Sequence, residues 1–69
     1  MANKPVLGER ISQMRRKLGF SQAELARRTG FHPSFISQLE SGKRKGSSYE
    51  TLATLAEALN VEVQQLFHT

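Results

Sequence analysis

Apolar residues along this chain recur at helical spacings and halt at glycines. From Leu7 to Leu18 they fall at Leu7, Ile11, Met14 and Leu18, which places all of them on one face of a first helix. Ser21-Gln22-Ala23-Glu24 then forms a capping box, in which the Ser21 hydroxyl accepts from the third helical amide and Glu24 reaches back to the Ser21 amide. A second helix is therefore predicted over Gln22 to Thr29. Pro33 suits the first turn of a third helix, where a missing N–H costs nothing, with Phe31 or His32 just outside and Gly42 closing the end near Ser41. The stretch Lys43-Arg44-Lys45-Gly46-Ser47-Ser48 leads to a fourth helix over Tyr49 to Leu59, capped by Ser48 or by Ser47 with Glu50, whose stripe is Leu52, Leu55, Ala56 and Leu59. Asn60, like Gly19, Gly30, Gly42 and Gly46, tolerates the backbone conformation in which helices end. Beyond it, Glu62 to Phe67 forms a last turn or two, with Val63, Leu66 and Phe67 in one arc. No strand pattern or internal repeat is visible. The pattern predicts an all-α, compact five-helix domain spanning residues 1–69, with 1–5 as a flexible arm.

Composition narrows the function classes. Sixty-nine residues with 38% hydrophobic content build one modest core and no large internal substrate cavity, which disfavours an enzyme. The absence of Cys removes disulfides, thiolate catalysis and Cys-ligated zinc together. No apolar run approaches the roughly 18 residues of a membrane span, and the first residues lack a signal-peptide pattern, so the expectation is a soluble, cytoplasmic protein. The two His are far apart in the chain with no Cys or Asp, so no metal-ligand spacing exists, and no cofactor is implied. Gly42-Lys43-Arg44-Lys45-Gly46-Ser47-Ser48 lacks the ending of a phosphate loop and a preceding strand. Ten Lys and Arg against six Glu give a net charge of +4, which suits a phosphate-binding surface and equally suits solubility.

The third helix decides between these. Counting 100° per residue from Pro33, Phe35, Ile36 and Leu39 lie at about 200°, 300° and 240°, whereas Ser34, Ser37, Gln38 and Ser41 lie at about 100°, 40°, 140° and 80°. Its outer face thus carries hydroxyls and an amide, with no carboxylate to repel phosphates. Gln can bond bidentately to adenine, and Ser can donate to or accept from several base edges. A short helix, a tight turn with Gly and a second short helix is the arrangement that projects the second helix into a major groove.

At these residues the chain resembles a known family. Ser21-Gln22-Ala23-Glu24-Leu25-Ala26, Gly30, Phe35-Ile36-Ser37-Gln38-Leu39-Glu40-Ser41-Gly42-Lys43-Arg44, Glu50-Thr51-Leu52 and Ala58-Leu59-Asn60-Val61 are similar to the Xre-like, or lambda-repressor and Cro-like, helix-turn-helix proteins. The resemblance spans Leu7 to Phe67 and implies a lambda-repressor-like domain whose helix-turn-helix is formed by the second and third helices. It implies base contacts from His32, Ser34, Ser37 and Gln38, and phosphate contacts from Ser21 and Gln22 and from Lys43, Arg44 and Lys45. Pro33 departs from the polar residue often found there, which removes one expected base contact. The linker Lys45-Gly46-Ser47-Ser48 is one residue longer than the family's Asn-Pro-Ser, which leaves open which of the three cations reaches a phosphate. The resemblance further implies an internal salt bridge between Arg15 and Glu40 that orients the third helix.

The implied partner is double-stranded DNA, read by a homodimer on a near-palindromic operator, in a bacterial or phage transcriptional regulator that acts as a repressor. Val63 and Phe67 are the candidate dimer interface, with core packing as the alternative for both. Alternatives stand elsewhere too. Gln22 could be simply a helix former, His32 an exposed helix start, Lys43-Arg44-Lys45 a solvated loop, and Arg27 and Arg28 a solvated face. Phe35 is either core or a contact for a thymine methyl, and Phe31 is expected to be buried between helices two and three. At the level of the whole chain, the alternative is a protein-interaction module, antitoxin or coactivator-like, with secondary DNA binding.

Overall fold

The computed structural model describes residues 7–44 and 48–67, with Phe67 described by its backbone alone; the arm expected over 1–5, the linker residues Lys45, Gly46 and Ser47, and the Phe67 side chain lie outside the described residues. Five helices follow one another: α1 (Leu7–Lys17), α2 (Gln22–Thr29), α3 (Pro33–Ser41), α4 (Tyr49–Leu59) and α5 (Gln64–Phe67). Among the described residues there is no strand. No helix among them is long and apolar enough to cross a membrane.

Chemistry at the helix ends accounts for these boundaries. Helix α1 stops one residue before the predicted Leu18, because the Phe20 amide returns to the Arg15 carbonyl (3.0 Å) and turns the chain. Leu18 therefore leaves the apolar face and is 44% exposed, and the buried member of this stretch is Arg15 instead. Ser21 caps α2, its Oγ accepting from the Glu24 amide at 3.0 Å. Only this half of the capping box forms. The Glu24 carboxylate turns away from the Ser21 amide to Arg27 and to Arg28 (2.6 Å), cations one helical turn along on the same face. Ser48 caps α4 through the Thr51 amide (3.2 Å), and Asn60 ends that helix at φ 60°.

The core is one cluster: Ile11, Leu25, Ala26, Ile36, Leu39, Leu55, Ala56, Leu59 and Leu66. Helix α3 packs against both α1 and α2, while α4 covers α2 and α5 covers α1. Leu52, Val63, Met14 and Leu7 complete this core from its edges, half-buried. Arg10, half-buried, fastens α5 to α1 by donating from Nε to the Gln65 carbonyl at 2.7 Å. Closest approach of α1 to α3 occurs at the buried Gly8, where a Cβ would lie 2.0 Å from the Leu39 carbonyl oxygen and 2.8 Å from that of Glu40. Only a residue without a side chain lets the first turn of α1 rest on the backbone of α3.

Candidate nucleic-acid interface

The turn between α2 and α3 is short and internally bonded. Gly30 takes the left-handed conformation (φ 81°) that ends α2, and its amide donates to the Ala26 carbonyl at 2.8 Å. The Thr29 hydroxyl donates to the Leu25 and Ala26 carbonyls and accepts from the Phe31 amide at 3.2 Å. His32 then caps α3 from an extended backbone, with Nδ1 accepting from the Ser34 amide (3.2 Å) and 2.8 Å from the Ser34 hydroxyl. This commits Nδ1 to the helix, so Nε2 alone is left for an outside partner.

Helix α3 divides as its sequence predicts. Ile36 and Leu39 are buried, whereas Ser34, Ser37 and Ser41 are exposed and Gln38 is half-exposed. The hydroxyl-and-amide strip faces solvent. Phe31 is half-buried instead of fully enclosed, and it meets Phe35 edge to face, with ring centroids 5.0 Å apart and planes at 67°. Both rings flank the core without entering it. Arg44, beyond the end of α3, turns back along it. Its amide donates to the Gln38 carbonyl (3.2 Å), its Nε donates to Gln38 Oε1 (3.2 Å), and its guanidinium sits 4.9 Å from the centre of the Phe35 ring. Lys43 is exposed.

Under the strip lies a buried ionic network. Arg15 and Glu40 pair in two-pronged fashion, Nε to Oε2 at 2.6 Å and Nη2 to Oε1 at 2.9 Å, with side chains only 10% and 7% exposed. Arg15 Nη1 also donates to the Phe20 carbonyl at 2.7 Å, so one guanidinium joins α1, the α1–α2 turn and α3. Gln22 enters the same network, its Nε2 donating to Glu40 Oε1 at 3.1 Å. One Nε2 hydrogen stays available at the N-terminus of α2. Burial pushes the Glu40 carboxyl up, but the Arg15 hydrogen bond, the Gln22 amide, the Arg15 charge and the Ser12 hydroxyl together hold it below its ordinary value. The hydrogen bond with Glu40 raises Arg15 in return, against burial. On the outer face of α2, Arg27 and Arg28 are exposed, and Arg28 stacks 4.3 Å from the Phe20 ring centre. The hydrogen bond from Arg27 holds the Glu24 carboxyl low.

Three residues have structural roles that the linear pattern does not announce. Gly8 reads as a weak helix residue, Arg10 as one surface cation among many, and the inward bond of Gln22 has no signature at all. Only Gly8 leaves a trace, as a glycine inside an otherwise strong helix former's stretch.

A buried α3 flank, a bonded Gly turn and an outward polar strip define a helix-turn-helix domain. The chain belongs to the helix-turn-helix domain family, whose model matches residues 8–69, and within it to the Xre, lambda-repressor-like regulators. It is 32% identical over 63 residues to the HTH-type transcriptional regulator SinR of Bacillus licheniformis, covering 91% of this chain and 57% of SinR. The chain thus spans little more than half the length of that relative. It superimposes on the crystal structure of SinR, the master regulator for biofilm formation, in complex with DNA with a TM-score of 0.85 and 33% identity, over 88% of this chain and 97% of that one. The P22 c2 repressor in complex with a synthetic operator gives a TM-score of 0.84 and 32% identity, over 94% of this chain and 97% of that one.

Proposed function

We propose that this chain binds double-stranded DNA sequence-specifically and regulates transcription, as a repressor, by placing α3 in the major groove. The observation that carries this reading is the outward strip of Ser34, Ser37, Gln38 and Ser41 on a helix whose opposite side is buried. Two structural relatives that share this architecture were solved with DNA bound. In this reading His32 through Nε2, Ser34, Ser37 and Gln38 meet base edges. Ser21 and Gln22 hold a phosphate at the N-terminus of α2, where the free amides of the first turn and the remaining Gln22 hydrogen converge, and Lys43 and Lys45 attract the backbone. The Arg15–Glu40 pair orients α3 and makes no contact with DNA.

A single short helix reads few bases, so the chain is read as a homodimer on a near-palindrome, with recognition helices about 34 Å apart. Val63 supports this: it lines an open groove between α4 and α5 together with Tyr49, Ala53 and Val61, and Tyr49 is 71% exposed. Phe67 extends the same interface in this proposal. The site of action is the cytoplasm of a bacterial or phage-infected cell, and no catalytic step belongs to the reading. Selection of duplexes from a random pool tests it. Enrichment of a motif with two related half-sites is the expected result; a pool that stays random after repeated rounds rejects DNA reading by α3.

A further inference from the structure

On the polar strip the Ser34 hydroxyl meets His32 Nδ1 and the Ser41 hydroxyl donates to the Gln38 carbonyl, whereas the Gln38 side chain is engaged by a cation. The Gln38 carboxamide oxygen accepts from Arg44 Nε at 3.2 Å. Two further contacts hold Arg44 there: its amide donates to the Gln38 carbonyl at 3.2 Å, and its guanidinium covers the Phe35 ring at 4.9 Å. The guanidinium is thereby drawn onto the flank of the reading face. It also covers one face of the Phe35 ring.

A free Gln amide offers one acceptor and one donor, the pair that matches adenine N6 and N7. With Arg44 on Oε1, that acceptor faces a guanidinium, and an incoming adenine N6 amino group would meet positive charge and a competing donor. The Gln38 Nε2 group and the Arg44 Nη groups are donors, and the second lone pair of Gln38 Oε1 sits beside the positive charge. A donor-rich, positively charged surface matches guanine, whose O6 and N7 are both acceptors in the major groove.

We propose that Gln38 and Arg44 act as one donor-rich, positively charged reading unit that selects guanine over adenine at the base pair beneath Gln38, with Arg44 setting the polarity of the Gln38 amide. This rests on the reading of α3 as the major-groove helix. It makes Arg44 a specificity-determining residue and predicts that its removal changes the preferred letter as well as the affinity.

The test uses the full chain and the duplex enriched from a random pool. At the position that Gln38→Ala makes indifferent, competition is measured among duplexes with guanine, adenine and 7-deazaguanine, which lacks the N7 acceptor. The parent should prefer guanine to adenine by roughly tenfold, the scale of one bidentate contact, and should lose most of that preference with 7-deazaguanine. Arg44→Ala should reverse the order to adenine over guanine, since Oε1 can then accept from N6 with no guanidinium beside it. Arg44→Lys, which keeps the charge without the planar Nε donor, should retain salt dependence yet lose the guanine preference. Circular dichroism of each variant, with unchanged helicity, excludes unfolding as the cause. The proposal is overturned if the parent prefers adenine there, or if Arg44→Ala weakens every duplex alike and leaves the letter unchanged, which is the signature of a phosphate contact. An enriched motif with unchanged letters sinks this inference alone, whereas no enriched motif at all sinks the DNA-reading assignment beneath it.

Discussion

Arg15 and Glu40 show how much can hang on a single pair without that pair adding net stability. Both ions are desolvated, and their attraction roughly offsets that cost. Removing one partner is another matter, because the other is left buried and uncompensated. Arg15→Met should cost about 3–5 kcal/mol, against a total of roughly 3–10 kcal/mol expected for a domain of this size; urea unfolding would register the change, and a loss below about 1 kcal/mol would show that the pair is solvated in practice. The titration follows with a definite sign. Glu40 is held below its ordinary value in the folded chain, so the folded state binds fewer protons than the unfolded one near that value. Its contribution is complete above the ordinary carboxylate range, about pH 4.3, and is lost as pH falls through the lowered folded value. Glu40→Gln should therefore be less stable than the parent near neutrality and flatten the acid limb of the stability curve. Some slope will persist, since Glu24 is also held low. Equal acid limbs in the two proteins would assign the effect to other carboxyls.

At the scale of elements, α3 is set by two glycines that act in different ways. Gly8 allows α1 to rest on it, and an added methyl there meets backbone oxygen, which cannot rotate away. Gly8→Ala should push the two helices apart and destabilise by about 1–3 kcal/mol, the scale of overpacking; a melting temperature equal to the parent's would mean the helices separate freely. Gly30→Ala meets no atom within 4 Å, so its cost is conformational alone, about 1–2 kcal/mol for a left-handed residue with a side chain. The contrast is checkable because only Gly8→Ala should also disturb the near-ultraviolet signature of the packed aromatic pair through movement of α3. These two glycines mark the boundary of what the linear pattern carries. Gly30 was legible because the turn it makes is local, encoded within a few residues of its neighbours. The spans of α2, α3 and α4, the Ser21 and Ser48 caps and the outward strip of α3 were legible for the same reason: spacing of three and four residues fixes a face, whereas α5 begins at Gln64, two residues after the expected Glu62. Gly8 was not, because its partner is some thirty residues away and periodicity says nothing about which backbones touch. The same limit hid the inward bond of Gln22 and the return of Arg44 to Gln38, both of which cross from one element to another. Leu18 and the second half of the capping box were misread where a local rule met a stronger competitor, the turn at Phe20 in one case and the cations of α2 in the other.

For the molecule as a whole, the proposed function asks a small surface to discriminate among duplexes. With a net charge of +4, attraction to phosphates is sequence-independent and weakens steeply with salt. One α3 adds contacts to a few bases, each worth about 1–3 kcal/mol of discrimination, which is too little to single out a site among many competitors. A second copy doubles the bases read. Pairing also lets weak protein contacts act on DNA: if two bound chains touch, even about 1.4 kcal/mol of coupling raises joint occupancy tenfold. The groove lined by Tyr49, Ala53, Val61 and Val63 is the surface proposed for that contact. Of these, Tyr49 can be altered with least harm to the fold, being 71% exposed. Tyr49→Ala should leave the melting temperature and the affinity for a single half-site unchanged, while weakening binding to a two-half-site duplex roughly tenfold and making its binding curve shallower. Gel-shift titrations on one-site and two-site duplexes separate the terms. Equal loss on both duplexes would place Tyr49 against DNA, and no loss on either would move the pairing surface away from α4.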